Sequence, residues 1–165
     1  MVPARFKGHL ILMNLKAQDY PGTKSIEDWP SWNLPILRWA KADGATVGFA
    51  HCASGMVVNS TGLPNYEIPS FDAIGTNEAI VDVTYGVVDF LSGCNKHPVA
   101  ELNAWYHMLN CGYRLAMVGE TDYPCVTGER PGVGRTYVHL DVRPTDDAGY
   151  QKWVRGMQQG HLYCG

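Results

Sequence analysis

The chain has 165 residues, 45% of them hydrophobic and 18% charged, and its formal net charge at pH 7 is −3. These values are typical of one globular domain with its own core and exclude a disordered polar tail. The scattered Lys and Arg residues argue against a nucleic-acid partner. The lack of long apolar runs argues against a membrane span or a signal peptide, so we expect a cytoplasmic protein.

Short apolar runs alternate with longer amphipathic segments along the chain. In chain order the pattern predicts a strand at 8–13, a loop at 17–32, a helix at 34–42 capped by Asn33, a strand at 45–51, a short helix at 68–75, a strand at 79–83, a helix at 99–111, strands at 115–118 and 136–140, and a last helix capped by Thr145. Nearly unbroken apolar runs are typical of parallel strands that helices cover. We therefore expect one α/β domain over residues 1–165, with about five mostly parallel strands and covering helices.

Three ionisable residues stand at the ends of predicted strands. His9 begins the first strand, while His51 and Asp122 lie at or just beyond the C-terminal ends of two others. Ligands gather at these ends in parallel α/β folds, and imidazole and carboxylate groups bind divalent metal ions. Each residue also has a structural interpretation: a histidine there is often a hydrogen-bonded structural residue, and Asp122 is a plausible turn cap. Asp82 either lines the same pocket or is a solvated strand end.

Several motifs follow one another in an order that is similar to one enzyme family. They are Gly8-His9, Ala50-His51, Glu-Ile-Pro at 67–69, Trp-Tyr-His-Met-Leu-Asn-Cys-Gly at 105–112, Gly-Glu-Thr-Asp at 119–122 and Arg-Thr-Tyr-Val at 135–138. Together they resemble the carbaryl-hydrolase-like (CehA/McbA) branch of the polymerase and histidinol phosphatase (PHP) metallohydrolases. The similarity runs over almost the whole chain and covers the C-terminal half of the family's barrel.

The resemblance implies a partial (β/α) barrel of PHP type and hydrolysis of phosphoester, carboxylic ester or carbamate bonds by metal-activated water. It implies that His9, His51 and Asp122 are ligands of a divalent ion, Zn²⁺, Mn²⁺ or Fe²⁺. Glu120 is the nearest candidate proton carrier in the sequence, and Arg135 matches a family-typical position, so both are named as candidate catalytic residues. The family's N-terminal His-x-His motif and bridging glutamate have no counterpart in this chain, which limits the expectation to a one-metal site.

Other functions stay open at this point. The chain is alternatively a catalytically inactive barrel fragment that folds and oligomerises. A thiol hydrolase using Cys52 beside His51 is disfavoured, because adjacent strand residues point to opposite faces. Five cysteines without a Cys-x-x-Cys pair indicate reduced thiols rather than a zinc knuckle.

The expected partial barrel also predicts an assembly. A barrel that lacks strands exposes an unpaired edge and an apolar face, and a second copy of the chain covers both in the simplest case. We therefore expect a homodimer or a larger homo-oligomer. The substrate that the resemblance implies is a small-molecule ester. The alternative is that the loop at 17–32, with its two tryptophans, folds over the sheet.

Overall fold

The structure, a computed structural model, describes residues 9–51, 56–57, 59–62, 70–71, 78–93, 98–121, 123–124 and 130–165. These ranges contain eight strands and four α-helices, besides one 3-10 turn at Ile26–Asp28. The strands are β1 (Leu10–Met13), β2 (Thr46–Phe49), β3 (Met56–Val57), β4 (Ser70–Phe71), β5 (Phe90–Gly93), β6 (Ala116–Gly119), β7 (Thr136–Val138) and β8 (Leu162–Cys164). The helices are α1 (Asn33–Ala42), α2 (Ala79–Thr84), α3 (Pro98–Asn110) and α4 (Asp147–Gln158).

The main sheet has four strands in the order β1-β2-β5-β6. Strands β2, β5 and β6 are parallel, whereas β1 runs antiparallel to β2, with Leu10 opposite Phe49. Two further antiparallel pairs, β3–β4 and β7–β8, form separate two-stranded ribbons. The expected α/β class and mostly parallel sheet are confirmed, and no closed barrel is found in the described ranges.

Described elements pack against both faces of the sheet. Alternate residues of β1 show this: Leu10 belongs to the cluster under α1, α2 and α3, while Ile11 belongs to the cluster under α4. Tyr20 and Trp29, from the predicted loop, pack at the rim of the first cluster. This alternation is the period-two pattern of a strand covered on both sides.

The prediction is wrong for one strand and for the pairing of another. Residues 79–83 lie in helix α2, where Ala79, Asp82 and Val83 are buried, while Ile80 and Val81 are 47% and 54% exposed. The parallel strand of this region is instead β5, which the sequence reading missed. A short apolar run does not distinguish a strand from a helix by periodicity, and here the helix formed. The strand predicted at 136–140 is confirmed over Thr136–Val138, but its expected place in the parallel sheet is wrong, because β7 pairs antiparallel with β8 in a separate ribbon.

Three of the predicted helices are confirmed, with different caps. Asn33 is the first residue of α1, and its backbone N–H donates to Glu78 Oε2 at 2.8 Å. The cap of α4 is Asp146 rather than Thr145, because the Asp146 side chain accepts a hydrogen bond from the Gly149 N–H at 2.7 Å.

One further expectation about a helix fails. Residues 70–71 form strand β4, which contradicts the predicted helix over them. In α3, the polar residues Glu101 and Asn103 are buried in the core. No helix in the described part of the chain is long and apolar enough to cross a membrane.

Candidate functional site

Four polar side chains meet at one edge of the main sheet. The C-terminal ends of β2, β5 and β6 lie together because these strands are parallel, and the start of β1 joins them because β1 is antiparallel. His51 follows β2, Ser92 lies within β5, Glu120 follows β6 directly and His9 precedes β1. This edge is the usual position of functional groups in such folds.

Glu120 connects His51 to Ser92. Its Oε1 lies 3.0 Å from Nδ1 of the His51 ring, and its Oε2 accepts the His51 backbone N–H at 3.3 Å. The Ser92 hydroxyl donates a short hydrogen bond to the same Oε2. Ser92 is fully buried, so its hydroxyl is held in place by the core around it. The result is a chain of contacts from the core through Ser92 and Glu120 to the His51 ring.

The charge of Glu120 determines which nitrogen of His51 carries the proton. Burial raises the pKa of Glu120, but hydrogen bonds from the His51 ring and the Ser92 hydroxyl, with the charge of His51, outweigh it and leave the pKa below its usual range. An ionised carboxylate only accepts hydrogen bonds, so Nδ1 of His51 is the protonated nitrogen. Nε2 then carries the ring's lone pair, as in metal-binding histidines oriented by a carboxylate.

His9 lies beside His51. The two ring centroids are 5.2 Å apart, with the ring planes at 65°. The Nδ1 atom of His9 is buried and has no hydrogen-bond partner among the residues that the structure describes. A buried polar atom without a partner costs roughly 1–3 kcal/mol, and in a native protein such an atom calls for an explanation such as an ion or a water.

His51 also has an unusual backbone conformation. Its φ angle is +55°, in the left-handed region that few residues other than glycine adopt. Histidine is among the residues that tolerate this region, and the hydrogen bond from its N–H to Glu120 supports the conformation. Backbone strain of this kind occurs often at binding and catalytic sites, where the surrounding structure enforces it.

The donor set fits a divalent ion in part. The unpartnered Nδ1 of His9 and the carboxylate-oriented ring of His51 are nitrogen donors of the type that zinc and related ions bind. Asp122, the third predicted ligand, lies outside the described residues, as does Glu67. Within the described ranges no group of three or more His, Cys, Asp or Glu side chains is arranged to hold a metal ion.

The candidate catalytic residue Arg135 contacts the site through its backbone. A Cβ atom added to Gly119 would lie 2.6 Å from the Arg135 backbone N and O, so the start of β7 packs directly on the end of β6. The Arg135 side chain is exposed, and its guanidinium lies over the Tyr137 ring, 5.9 Å from the centroid. Of the two candidates, Glu120 therefore bonds to a predicted ligand, whereas the Arg135 side chain stacks on an aromatic ring.

Asp82 is neither solvated nor at a strand end. It lies in α2 with 1% of its surface exposed, and neither carboxylate oxygen has a hydrogen-bond partner in the described ranges. Burial, and in second place the charge of Glu78, raise the pKa of Asp82 to about 7. The interpretation of Asp82 as a solvated strand end is wrong.

Ser92 is the site residue that sequence reasoning missed. The signal was present in the apolar run Val87-Val88-Asp89-Phe90-Leu91 just before it, which resembles the other strands. The sequence pattern predicts the strand of this region at 79–83 instead, so the prediction does not include the strand end that carries Ser92.

Comparison with known proteins gives no relative. No protein-family model matches the chain, and no curated protein or solved structure is detectably similar to it.

Proposed function

We propose that the protein is a metal-dependent hydrolase of phosphoester, carboxylic ester or carbamate bonds. The observation that carries the proposal is the Ser92–Glu120–His51 chain of hydrogen bonds beside the unpartnered Nδ1 of His9. A carboxylate that fixes the tautomer of a histidine is the usual outer partner of a metal ligand. The motif resemblance to the PHP metallohydrolases, with a partial barrel of that type, supports the same proposal.

His9 and His51 would hold the ion, with Asp122 as the proposed third ligand. When bound, a divalent ion supplies Lewis acidity, which polarises an ester oxygen and acidifies water. Ligands such as these leave coordination positions open for substrate, as catalytic rather than structural metal sites do. Two histidines and one carboxylate suit Zn²⁺, Mn²⁺ or Fe²⁺.

Glu120 has a positioning role in this proposal rather than that of a proton carrier. Its carboxylate accepts hydrogen bonds from the ring and the backbone of His51 and from Ser92, and its pKa is lowered. A carboxylate in that state holds His51 in one tautomer and one orientation but is a poor proton donor near neutral pH. Ser92 in turn prevents the carboxylate from rotating away.

Arg135 remains a candidate for stabilising the negative charge that develops on the substrate during hydrolysis. The backbone of Arg135 packs on Gly119, which directly precedes Glu120, and its side chain is exposed, so the proposal is that the guanidinium reaches the site. To act there the guanidinium must leave the Tyr137 ring, a contact of the type worth about 0.5–1 kcal/mol at an exposed position. Binding of an anionic group is sufficient to outweigh that contact.

Metal binding tests the proposal before any substrate is known. We expect about one Zn²⁺ or Mn²⁺ per chain after dialysis, measured by elemental analysis. His51→Ala should abolish tight binding, and Ser92→Ala should weaken it about 10- to 100-fold, since outer partners of ligands have effects of that size. His107→Ala, a histidine on α3, is the matched control and should bind normally.

Activity is the second measurement. We expect slow hydrolysis of 4-nitrophenyl phosphate or 4-nitrophenyl acetate that chelation removes and Zn²⁺ or Mn²⁺ restores. A chain that binds no metal, or one that hydrolyses esters equally well after complete chelation, would contradict the proposal. A chain that binds metal without any hydrolysis would favour the inactive, oligomerising fragment instead.

A further inference from the structure

A second polar cleft lies away from the candidate metal site. It has a volume of about 530 Å³ and lies between α4 and the segment that follows β7. Its polar lining side chains are His139, Asp141, Lys152, Arg155, Gln159 and His161. None of them belongs to the candidate metal site. The volume is within the range of small-molecule sites.

The cleft is formed by one face of a helix and the end of a ribbon. Lys152 and Arg155 are three residues apart on α4, and Gln159, the residue that caps the C-terminus of the helix, is four residues further on, so all three share one face. The backbone N–H of His139 donates to the carbonyl of His161 at 2.9 Å, which places the two histidines opposite each other across the ribbon. Gly156 is buried between the two parts, and a Cβ added there would lie 2.6 Å from Val138 Cγ1.

The charges in the cleft are unbalanced. Lys152 and Arg155 carry two positive charges, and neither forms an ion pair in the described part of the chain. Among the described residues of the lining, Asp141 is the only acidic one. His139 and His161 add ring N–H donors, and Gln159 adds an amide donor. The cleft therefore presents several hydrogen-bond donors around a net positive charge.

The helix end does not cancel this charge. The C-terminus of a helix has partial negative charge because its last carbonyl groups lack partners within the helix. In α4 the carbonyls of Arg155, Gly156 and Met157 accept hydrogen bonds from Gln159, His161 and Gly160. With these acceptors satisfied, the side-chain cations dominate the cleft.

We propose that this cleft binds the phosphate group of a small phosphorylated molecule. Arg and Lys side chains with ring and amide N–H donors form the donor set that recognises phosphate. A divalent cation suits the same two histidines in isolation, but the adjacent Lys152 and Arg155 repel it. The volume exceeds that of a phosphate ion, which favours a phosphate ester over the free ion as the ligand.

Phosphate binding to the full chain is measured at the two histidine rings of the cleft. Inorganic phosphate and ribose 5-phosphate are added separately while the imidazole signals of His139 and His161 are recorded by NMR. We expect saturable shifts at both rings that weaken as NaCl is raised, since the contacts are partly exposed. Tighter binding of ribose 5-phosphate identifies the ester as the ligand, and equal binding identifies the free ion; both outcomes support a phosphate site.

A matched pair of double variants decides whether the cleft itself is responsible. Lys152→Gln/Arg155→Gln should weaken phosphate binding at least tenfold, whereas Lys24→Gln/Arg130→Gln removes the same charges at exposed positions elsewhere and should leave it unchanged. Equal weakening in both double variants would show a general charge effect and refute the site. The absence of shifts with both phosphates, or shifts produced by zinc chloride alone, would also overturn it.

Discussion

The buried carboxyl of Asp82 should make the protein less stable as the pH rises. Both of its oxygens are buried and lack a hydrogen-bond partner in the part of the chain that the structure describes, and its pKa is raised to about 7 from an ordinary value of 3.8. Between these two values the folded protein retains a proton that the unfolded chain releases. The free energy of unfolding therefore falls as the pH rises from about 4 to about 7 and stays low above that.

The two pKa values set the size of the effect. Each tenfold change in an acid dissociation constant corresponds to about 1.4 kcal/mol, so the full difference amounts to about 4 kcal/mol. Part of this loss of stability occurs below pH 5. Between pH 5 and pH 8, the same two pKa values give a loss of about 2–3 kcal/mol in the free energy of unfolding. That is a large fraction of the stability of an ordinary domain.

Urea unfolding at pH 5, 6, 7 and 8 measures the loss in wild type and in Asp82→Asn. The amide has no charge to bury, so the loss of about 2–3 kcal/mol should disappear from the variant, whatever its stability at any single pH. Asp141→Asn, at an exposed position, is the control and should keep the wild-type pH dependence. If wild type and Asp82→Asn change in parallel with pH, the reasoning about Asp82 is wrong.

Three other predictions concern packing, a polar contact and assembly. Gly48→Ala should lower the free energy of unfolding by about 1–3 kcal/mol, because the added Cβ would overlap the carbonyl and ring of Phe90; an unchanged urea midpoint would contradict this packing. Asp89 accepts the buried Val47 N–H at 2.9 Å and the partly exposed Lys41 ammonium at 2.5 Å. We therefore expect Asp89→Ala to lower the free energy of unfolding by about 2–3 kcal/mol and Lys41→Gln to lower it much less. Equal losses in thermal or urea unfolding would contradict this ranking. We still expect a homodimer, but the expected interface is now the exposed apolar face of α2, formed by Ile80 and Val81, rather than an uncovered sheet. Sedimentation at low micromolar concentration that shows only a compact monomer would contradict it.

Local signals in the sequence were sufficient for most of the regular elements. Pro98 and Gly112 bracket α3, and the helical spacing of apolar residues marks α1 and α4. The apolar runs of β1, β2 and β6 were likewise recognised as strands. Each of these predictions depends on neighbours within about a dozen residues, which is the range over which such signals act.

Features that depend on distant parts of the chain were missed. The antiparallel direction of β1 and the separate β7–β8 ribbon are set by pairing, which leaves no local trace in the sequence. The strand predicted in place of helix α2, and the missed strand β5, have a different cause. Both segments are short and apolar, so periodicity does not show which one is the strand, and in the structure it is the second. Burial of Glu101 and Asn103 on α3 also runs against their polarity, and only tertiary packing accounts for it.

In the candidate site, too, local signals identified some residues, while contacts between distant parts of the chain were not predicted. His9 and His51 were predicted to lie together, and their ring centroids are 5.2 Å apart. Glu120 was named for its position in the sequence, but its contact with His51 across 69 residues follows from the strand order β2-β5-β6. Ser92 was out of reach because its strand had not been recognised. Asp122 stays a prediction.

The most direct test of the central claim is the position of a bound metal ion. Crystals of the zinc-loaded chain, measured at the zinc absorption edge, should show an anomalous peak bonded to Nδ1 of His9 and Nε2 of His51 at about 2.0–2.1 Å. Glu120 should remain hydrogen-bonded to Nδ1 of His51 rather than bind the ion itself. A zinc ion bonded to neither histidine, or no ordered zinc at all, would contradict the account.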